Sequence, residues 1–110
     1  MIQDTLNQVR QRIERADAIK EENKKELVRL LNVLQLEVEQ LSATDSDHAE
    51  SIAGLARTSA HEATRREKQP RVHELSLNAF AESVQGFENS HPTLFQTVNA
   101  ICVALSNLGI

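Results

Sequence analysis

The fold of this chain is decided by residues 21–42, which read EENKKELVRLLNVLQLEVEQLS. Apolar residues recur there at alternating four- and three-residue steps, which is the spacing of one face of an α-helix. This face consists of Leu27, Leu31, Leu34, Val38 and Leu41. Four further apolar side chains widen it: Val28, Leu30, Val33 and Leu36. A face this wide predicts contact with more than one neighbouring helix.

The preceding residues 2–16 predict a shorter helix with the same spacing. Its apolar stripe is formed by Ile2, Leu6, Val9, Ile13 and Ala16. The stripe breaks where Lys20 and Asn23 would continue it, so residues 17–21 are expected to form a short turn. Residues 1–42 therefore predict an N-terminal helical hairpin.

Residues 43–70 predict an Ala-rich helix followed by a basic turn. The helix is expected over about residues 48–66, and the loop before it offers three caps, which are Asp45, Ser46 and Asp47. Its apolar side is formed by Ile52, Leu55, Ala56, Ala60 and Ala63. Pro70 disfavours helical geometry at the residue before it, so the chain is expected to bend or restart there.

Residues 71–110 predict a pair of C-terminal helices. The first is expected over about residues 71–88, with a stripe of Leu77, Phe80, Val84 and Phe87. Pro92 favours the start of the second, because its missing N–H is not needed in a first turn. The second stripe consists of Leu94, Val98, Ile101, Leu105 and Leu108, and Gly109 is expected to cap its end.

The 110 residues are thus expected to form one all-α domain. Its architecture would be an antiparallel bundle of the helical hairpin and two or three further helices. Its helices would pack as in a coiled coil, and the helices of a second copy of the chain could complete the bundle by dimerisation.

Charge is distributed unevenly along the chain. Twelve basic and sixteen acidic residues give a net charge of −4. All the basic residues lie between Arg10 and Arg71. Beyond Ser76 the only Asp, Glu, Lys or Arg residues are Glu82 and Glu88. Because a solvent-exposed helix normally keeps a charged face, the last helix is expected at the centre of the bundle or at an interface. The candidate interface residues are Phe87, Leu94, Phe95, Val98, Ile101, Leu105 and Leu108.

Composition also narrows the partners and the location. The basic cluster of the middle region consists of Arg57, Arg65, Arg66, Lys68 and Arg71. Because acidic residues interrupt it and no aromatic side chain stands near to stack on a base, nucleic acid is not an expected partner. Cys102 is the only cysteine, and its uncharged helix predicts an unreactive thiol. The first residues show no apolar signal core and no stretch resembles a membrane span, so a cytoplasmic protein without membrane contact is expected.

The sequence predicts no catalytic residue and no cofactor. His61 to Arg65 begins like the zinc-protease helix motif, but Arg65 stands where a second histidine is required. Glu88 and His91 have the Glu-x-x-His spacing of di-iron bundles, and they are only weak metal candidates because Pro92 places them at a helix junction. The alternative is that His91 pins the last helix through a bond from its ring to a backbone group.

The end of the chain carries a resemblance. Residues 87–94 read FENSHPTL and residues 105–110 read LSNLGI. This region resembles an uncharacterised bacterial family of short all-helical proteins, a domain of unknown function with a Phe-Glu-x-Ser-His-Pro-x-Leu junction before a last helix that ends in Gly-Ile. The likeness covers residues 80–110 and extends to residues 1–42. It implies an N-terminal helical hairpin, and it implies no activity, cofactor or catalytic residue.

Three hypotheses for function follow. The first is a structural or interaction protein that forms a homodimer through its C-terminal helices. The second is a monomeric adaptor whose groove receives a helix from a different protein. The third is a metal-dependent enzyme that uses Glu88 and His91.

Overall fold

The computed structural model describes residues 1–108 and contains five α-helices in that range. They are α1 (Ile2–Arg15), α2 (Glu21–Ser42), α3 (Ser46–Thr64), α4 (Pro70–Glu82) and α5 (Pro92–Leu108), with a short 3₁₀ turn at Gln85–Phe87 before α5. The predicted all-α class is therefore confirmed. Gly109, the predicted cap of the last helix, and Ile110 lie outside the described residues.

The N-terminal hairpin forms as its spacing predicts. The inner stripe of α1 is buried at Leu6, Val9 and Ile13. The wide face of α2 contacts three helices, α1, α3 and α5, as its width predicts. Leu36 is the exception, because its side chain is 63% exposed on the side of α2 away from the core.

The start of α3 is fixed by one of the three caps that the sequence offers. The side chain of Asp45 accepts a hydrogen bond from the backbone N–H of His48, with an N–O distance of 3.2 Å. This bond satisfies an N–H group that the helix itself leaves without a partner. The helix therefore begins at Ser46, two residues earlier than predicted, and it ends at Thr64.

The central position in the bundle belongs to α3, which contacts all four other helices. Its buried residues are mostly small: Ala49, Ala53, Ala56, Ser59, Ala60 and Ala63. Small side chains let neighbouring helices approach closely from several directions. Of the two positions that the sequence allows for the last helix, the centre is therefore taken by α3, and α5 packs at its side.

The helix α4 is shorter than the predicted 71–88. It begins at Pro70 and ends at Glu82, where the hydroxyl of Ser83 donates a hydrogen bond to the carbonyl of Phe80 at 2.6 Å. The following 3₁₀ turn still buries Val84 and half-buries Phe87. The apolar spacing of the sequence therefore continues beyond the helix, because the turn keeps the chain winding in the same sense.

Candidate interaction surfaces

The inner face of α5 belongs to the core of its own chain. Four predicted interface residues are at most 2% exposed: Leu94, Val98, Ile101 and Leu105. The other three, Phe87, Phe95 and Leu108, are partly buried against the same core. A second chain would therefore have to contact α5 from its opposite side. Association through the C-terminal helices stays a prediction.

That opposite side is the outer face of α5, formed by Thr93, Gln96, Ala100, Val103 and Asn107. All five residues are exposed, and none is charged. Val103 is 63% exposed, which equals the exposure of Leu36 and is exceeded among the large apolar residues of the described chain only by Met1. This face lies outside the apolar stripes from which burial is predicted in the sequence. The signal was present in the same alternating spacing of uncharged residues.

Two shallow grooves flank the outer face of α5. The groove toward α2 has a volume of about 330 Å³ and the groove toward α4 a volume of about 310 Å³. Each has one glutamate at its rim, Glu26 and Glu74 respectively. Both carboxylates are paired on their own helix, Glu26 with Arg29 at 2.6 Å and Glu74 with Arg71 at 3.2 Å. The hydrogen bond from Arg29 lowers the pKa of Glu26. The negative charge at the rim of each groove is therefore offset by an arginine of the same helix.

Cys102 lies on the side of α5 that borders the α4 groove. Its Sγ donates a weak hydrogen bond to the carbonyl oxygen of Leu77 at 3.7 Å. Burial raises the pKa of the Cys102 thiol from 9.0 to about 11, which leaves about a hundredfold less thiolate at neutral pH. Because the thiolate is the reactive species, this observation agrees with the predicted unreactive thiol.

Glu88 and His91 occupy the junction between the 3₁₀ turn and α5. The ring of His91 meets the ring of Phe87 edge-on at 5.4 Å between centroids, and His48 meets Phe87 in the same way. The His91 ring nitrogen lies 3.0 Å from the hydroxyl of Ser90, so its bond is to a side chain and not to the predicted backbone group. Within residues 1–108 no cluster of three metal-ligating side chains is found. The junction therefore joins the start of α3 to α5 through aromatic contacts.

A second concave surface lies between α1 and α3, and we call it the α1–α3 groove. Its lining residues are Gln8, Val9, Gln11, Arg12, Arg15, Ala16, Arg57, Thr58, His61 and Thr64. It consists of two adjoining hollows of about 400 and 350 Å³ that share Gln8 and Arg12. In the sequence Arg57 is grouped with the basic residues of the turn, whereas the fold places it with Arg12 of the first helix.

A further concavity, of about 500 Å³, lies between α1 and α2. Its ionisable lining residues carry both signs of charge: Glu14, Glu21, Lys24, Lys25 and Arg29. One pair is in contact, since Nζ of Lys24 lies 3.9 Å from Glu21. No preference for a charged ligand follows from such a lining.

None of the described helices is long and apolar enough to cross a membrane.

Comparison with known proteins gives one match. No curated protein and no solved structure matches the chain. A family model matches residues 27–110, which includes most of α2, all of α3 and the junction before α5. The match also runs through residues 43–70, which the resemblance seen in the sequence did not cover, and it leaves α1 outside. The chain therefore belongs to the family described as Domain of unknown function (DUF4404).

Proposed function

We propose that the protein is a non-catalytic interaction module that self-associates through the outer face of α5. The observation that carries this proposal is an exposed helix face without charge on a chain that is otherwise rich in charge. A cytoplasmic location belongs to the same proposal, and it agrees with a chain whose one cysteine is a free thiol.

The spacing of the outer face of α5 suits packing against another helix. Its five residues follow each other at alternating three- and four-residue steps, which aligns them along one side of α5. Ala100 stands at the middle of this line and allows close approach of a second backbone. Val103 supplies the apolar side chain that such a contact would bury.

A second copy of this chain is the occupant that the charges favour. Two copies with a net charge of −4 each repel one another over most orientations. An antiparallel contact between two outer faces of α5 brings no charged side chain against another. The glutamates at the rims, Glu26 and Glu74, each form an ion pair with an arginine of the same helix. The outer face of α5 is therefore a surface on which two copies meet without repulsion between like charges.

The size of this surface predicts a weak dimer. The seventeen residues of α5 are about 25 Å long. One helix face of that length offers less than the roughly 800 Å² per partner that stable complexes bury. The dimer is therefore expected to form and dissociate with the protein concentration.

The experiment compares Val103→Glu with Leu36→Glu by light scattering behind a sizing column, over a wide range of concentrations. Both wild-type side chains are 63% exposed, so neither change should disturb the core. We expect Val103→Glu to abolish the rise in mass with concentration, because the contact would bury an unpaired charge. We expect Leu36→Glu to behave as the wild type, because Leu36 lies on α2.

A wild-type chain that stays at 12.3 kDa at every concentration would contradict self-association and leave the adaptor hypothesis in its place. Equal loss of mass in both variants would show that added charge alone prevents association. A charge at Leu105 is a poorer test, because Leu105 is 2% exposed and the change would disrupt the fold of a single chain.

A further inference from the structure

We infer that the α1–α3 groove is a binding site for a short acidic peptide segment. The groove shares no residue with the outer face of α5, so the inference does not depend on self-association. It rests on the charge of the lining, on the orientation of one arginine and on the length of the groove.

The lining of the groove is cationic. Its charged lining residues are Arg12, Arg15 and Arg57, and no carboxylate lines it. His61 also lines it, with its Nε2 4.0 Å from a carboxylate oxygen of Glu62. The ion pairs found among residues 1–108 involve none of these three arginines. In contrast, Arg29, Arg65 and Arg71 each contact a glutamate three positions away on the chain. Three arginines without an ion pair among the described residues therefore share one groove of a chain whose net charge is −4.

Arg12 is held in place for binding. Its Nε donates a hydrogen bond to the hydroxyl of Thr64 at 2.7 Å, and that hydroxyl donates to the carbonyl of Ala60 at 2.7 Å. These two hydrogen bonds connect the guanidinium group of Arg12 to α3 and orient its two terminal nitrogens. Such a pair of nitrogens matches the two oxygens of a carboxylate, and less side-chain entropy is lost when it is already oriented.

The length of the groove matches a short extended peptide. Gln8 and Arg15 are seven positions apart on α1, which is about 10 Å along the helix axis. Three residues of an extended chain cover about the same distance. The uncharged lining residues Gln8, Gln11 and Thr58 carry groups that can bond to a peptide backbone. Carboxylates two residues apart on the peptide would therefore reach separate arginines.

Other anions fit this groove less well. No aromatic side chain lines it, so a nucleobase would have nothing to stack on. The groove runs along the C-terminal halves of α1 and α3, where the backbone N–H groups are used in the helices themselves and no helix N-terminus faces the groove. A phosphate would therefore lack the backbone donors that phosphate sites commonly provide. Longer polyanions would also meet the acidic remainder of the surface.

The test uses a fluorescein-labelled oligoglutamate peptide and fluorescence anisotropy with the full chain. We expect binding at about 20 mM salt and its loss at about 500 mM, because exposed charges are screened. The double variant Arg12→Gln and Arg57→Gln should weaken the affinity about tenfold, since two exposed ion pairs are lost. The double variant Arg29→Gln and Arg71→Gln removes the same charge outside the groove and should bind as the wild type. Circular dichroism checks that both variants are folded.

Three results would overturn the inference. The first is an absence of oligoglutamate binding at low salt. The second is an equal loss of affinity in the two double variants, which would mean a general charge effect. The third is that unlabelled tripolyphosphate or a short DNA strand displaces the peptide better than unlabelled oligoglutamate. An oligoglutamine peptide of the same length should not compete.

Discussion

His73 is a buried side chain of α4 whose polar atoms have no partner. The residue is 9% exposed, and within the described chain neither of its buried ring nitrogens makes a hydrogen bond. A buried polar group without a hydrogen bond costs free energy, because the water that it loses on folding is not replaced. The sequence could not show this, since spacing places His73 near a buried face without telling which groups cover it.

We therefore predict that His73→Leu stabilises the protein. An apolar side chain of similar size removes the unsatisfied nitrogens, and the expected gain in the free energy of unfolding is about 1 kcal/mol. This gain corresponds to a rise in Tm of about 5 °C for a domain of this size. His73→Gln keeps polar atoms at the same place and should give no gain. A lower Tm for His73→Leu, measured by thermal denaturation, would mean that the ring is stabilised by contacts that leucine cannot replace.

Single positions on the apolar stripes were predicted well. The stripes of α1, α2 and α5 are buried almost throughout, because the helical repeat alone determines which residues share a face. Leu36 was wrongly assigned to the wide face of α2. Apolar character does not decide burial by itself, because the neighbours of a helix must extend far enough around it to cover each position.

At the scale of an element, the start of α3 depends on Asp45. The hydrogen bond from the backbone N–H of His48 is the main cause that lowers the pKa of Asp45, and the His48 ring adds to it with a contact of 2.7 Å. The folded chain therefore holds the carboxylate ionised to a lower pH than the unfolded chain does. The stabilisation is complete above the ordinary pKa of about 3.9 and is lost as the pH falls through the lowered value.

We predict that Asp45→Asn lowers the Tm at neutral pH and that this difference shrinks below about pH 4. Asparagine still caps the helix, so the difference reports the charge of the carboxylate. Asp47→Asn removes a charge from the first turn of α3 without removing the cap, and it should change the Tm less. Thermal denaturation over a series of pH values is the measurement. A Tm difference that stays constant down to pH 3 would contradict the assignment.

Element boundaries were less predictable than element existence. The start of α5 at Pro92 agrees with the prediction, because proline is compatible with a first helical turn and few other positions. The end of α4 at Glu82 was missed, because a 3₁₀ turn continued the apolar spacing. The outer face of α5 was missed for a different reason. Its uncharged residues are mostly polar and form no continuous apolar stripe, and their exposure is known only when the packing of the other helices is known.

At the scale of the molecule, the bundle measures 37 × 24 × 22 Å and has two surfaces of opposite character. The outer face of α5 has no charge, and the α1–α3 groove is cationic. The all-α class and the hairpin followed from the sequence. The groove did not, because Arg12 and Arg57 are 45 positions apart on the chain and only the packing of α1 on α3 brings them together.

Self-association predicts that the Tm of the wild type rises with protein concentration. A dimer formed only by folded chains shifts the folding equilibrium by mass action. Over a hundredfold range of concentration we expect a rise of a few degrees for the wild type and none for Val103→Glu. Differential scanning calorimetry measures this directly. A wild-type Tm that is independent of concentration would count against the proposed dimer.

The central position of α3 also limits how this family can diverge. A larger side chain at Ala56 or Ala60 would have to be accommodated by several helices at once, because α3 contacts all of them. A substitution on the outer surface of the bundle does not require several helices to adjust. Over evolutionary time the smallest side chains of the core, and not its large leucines, would therefore be the slowest to change.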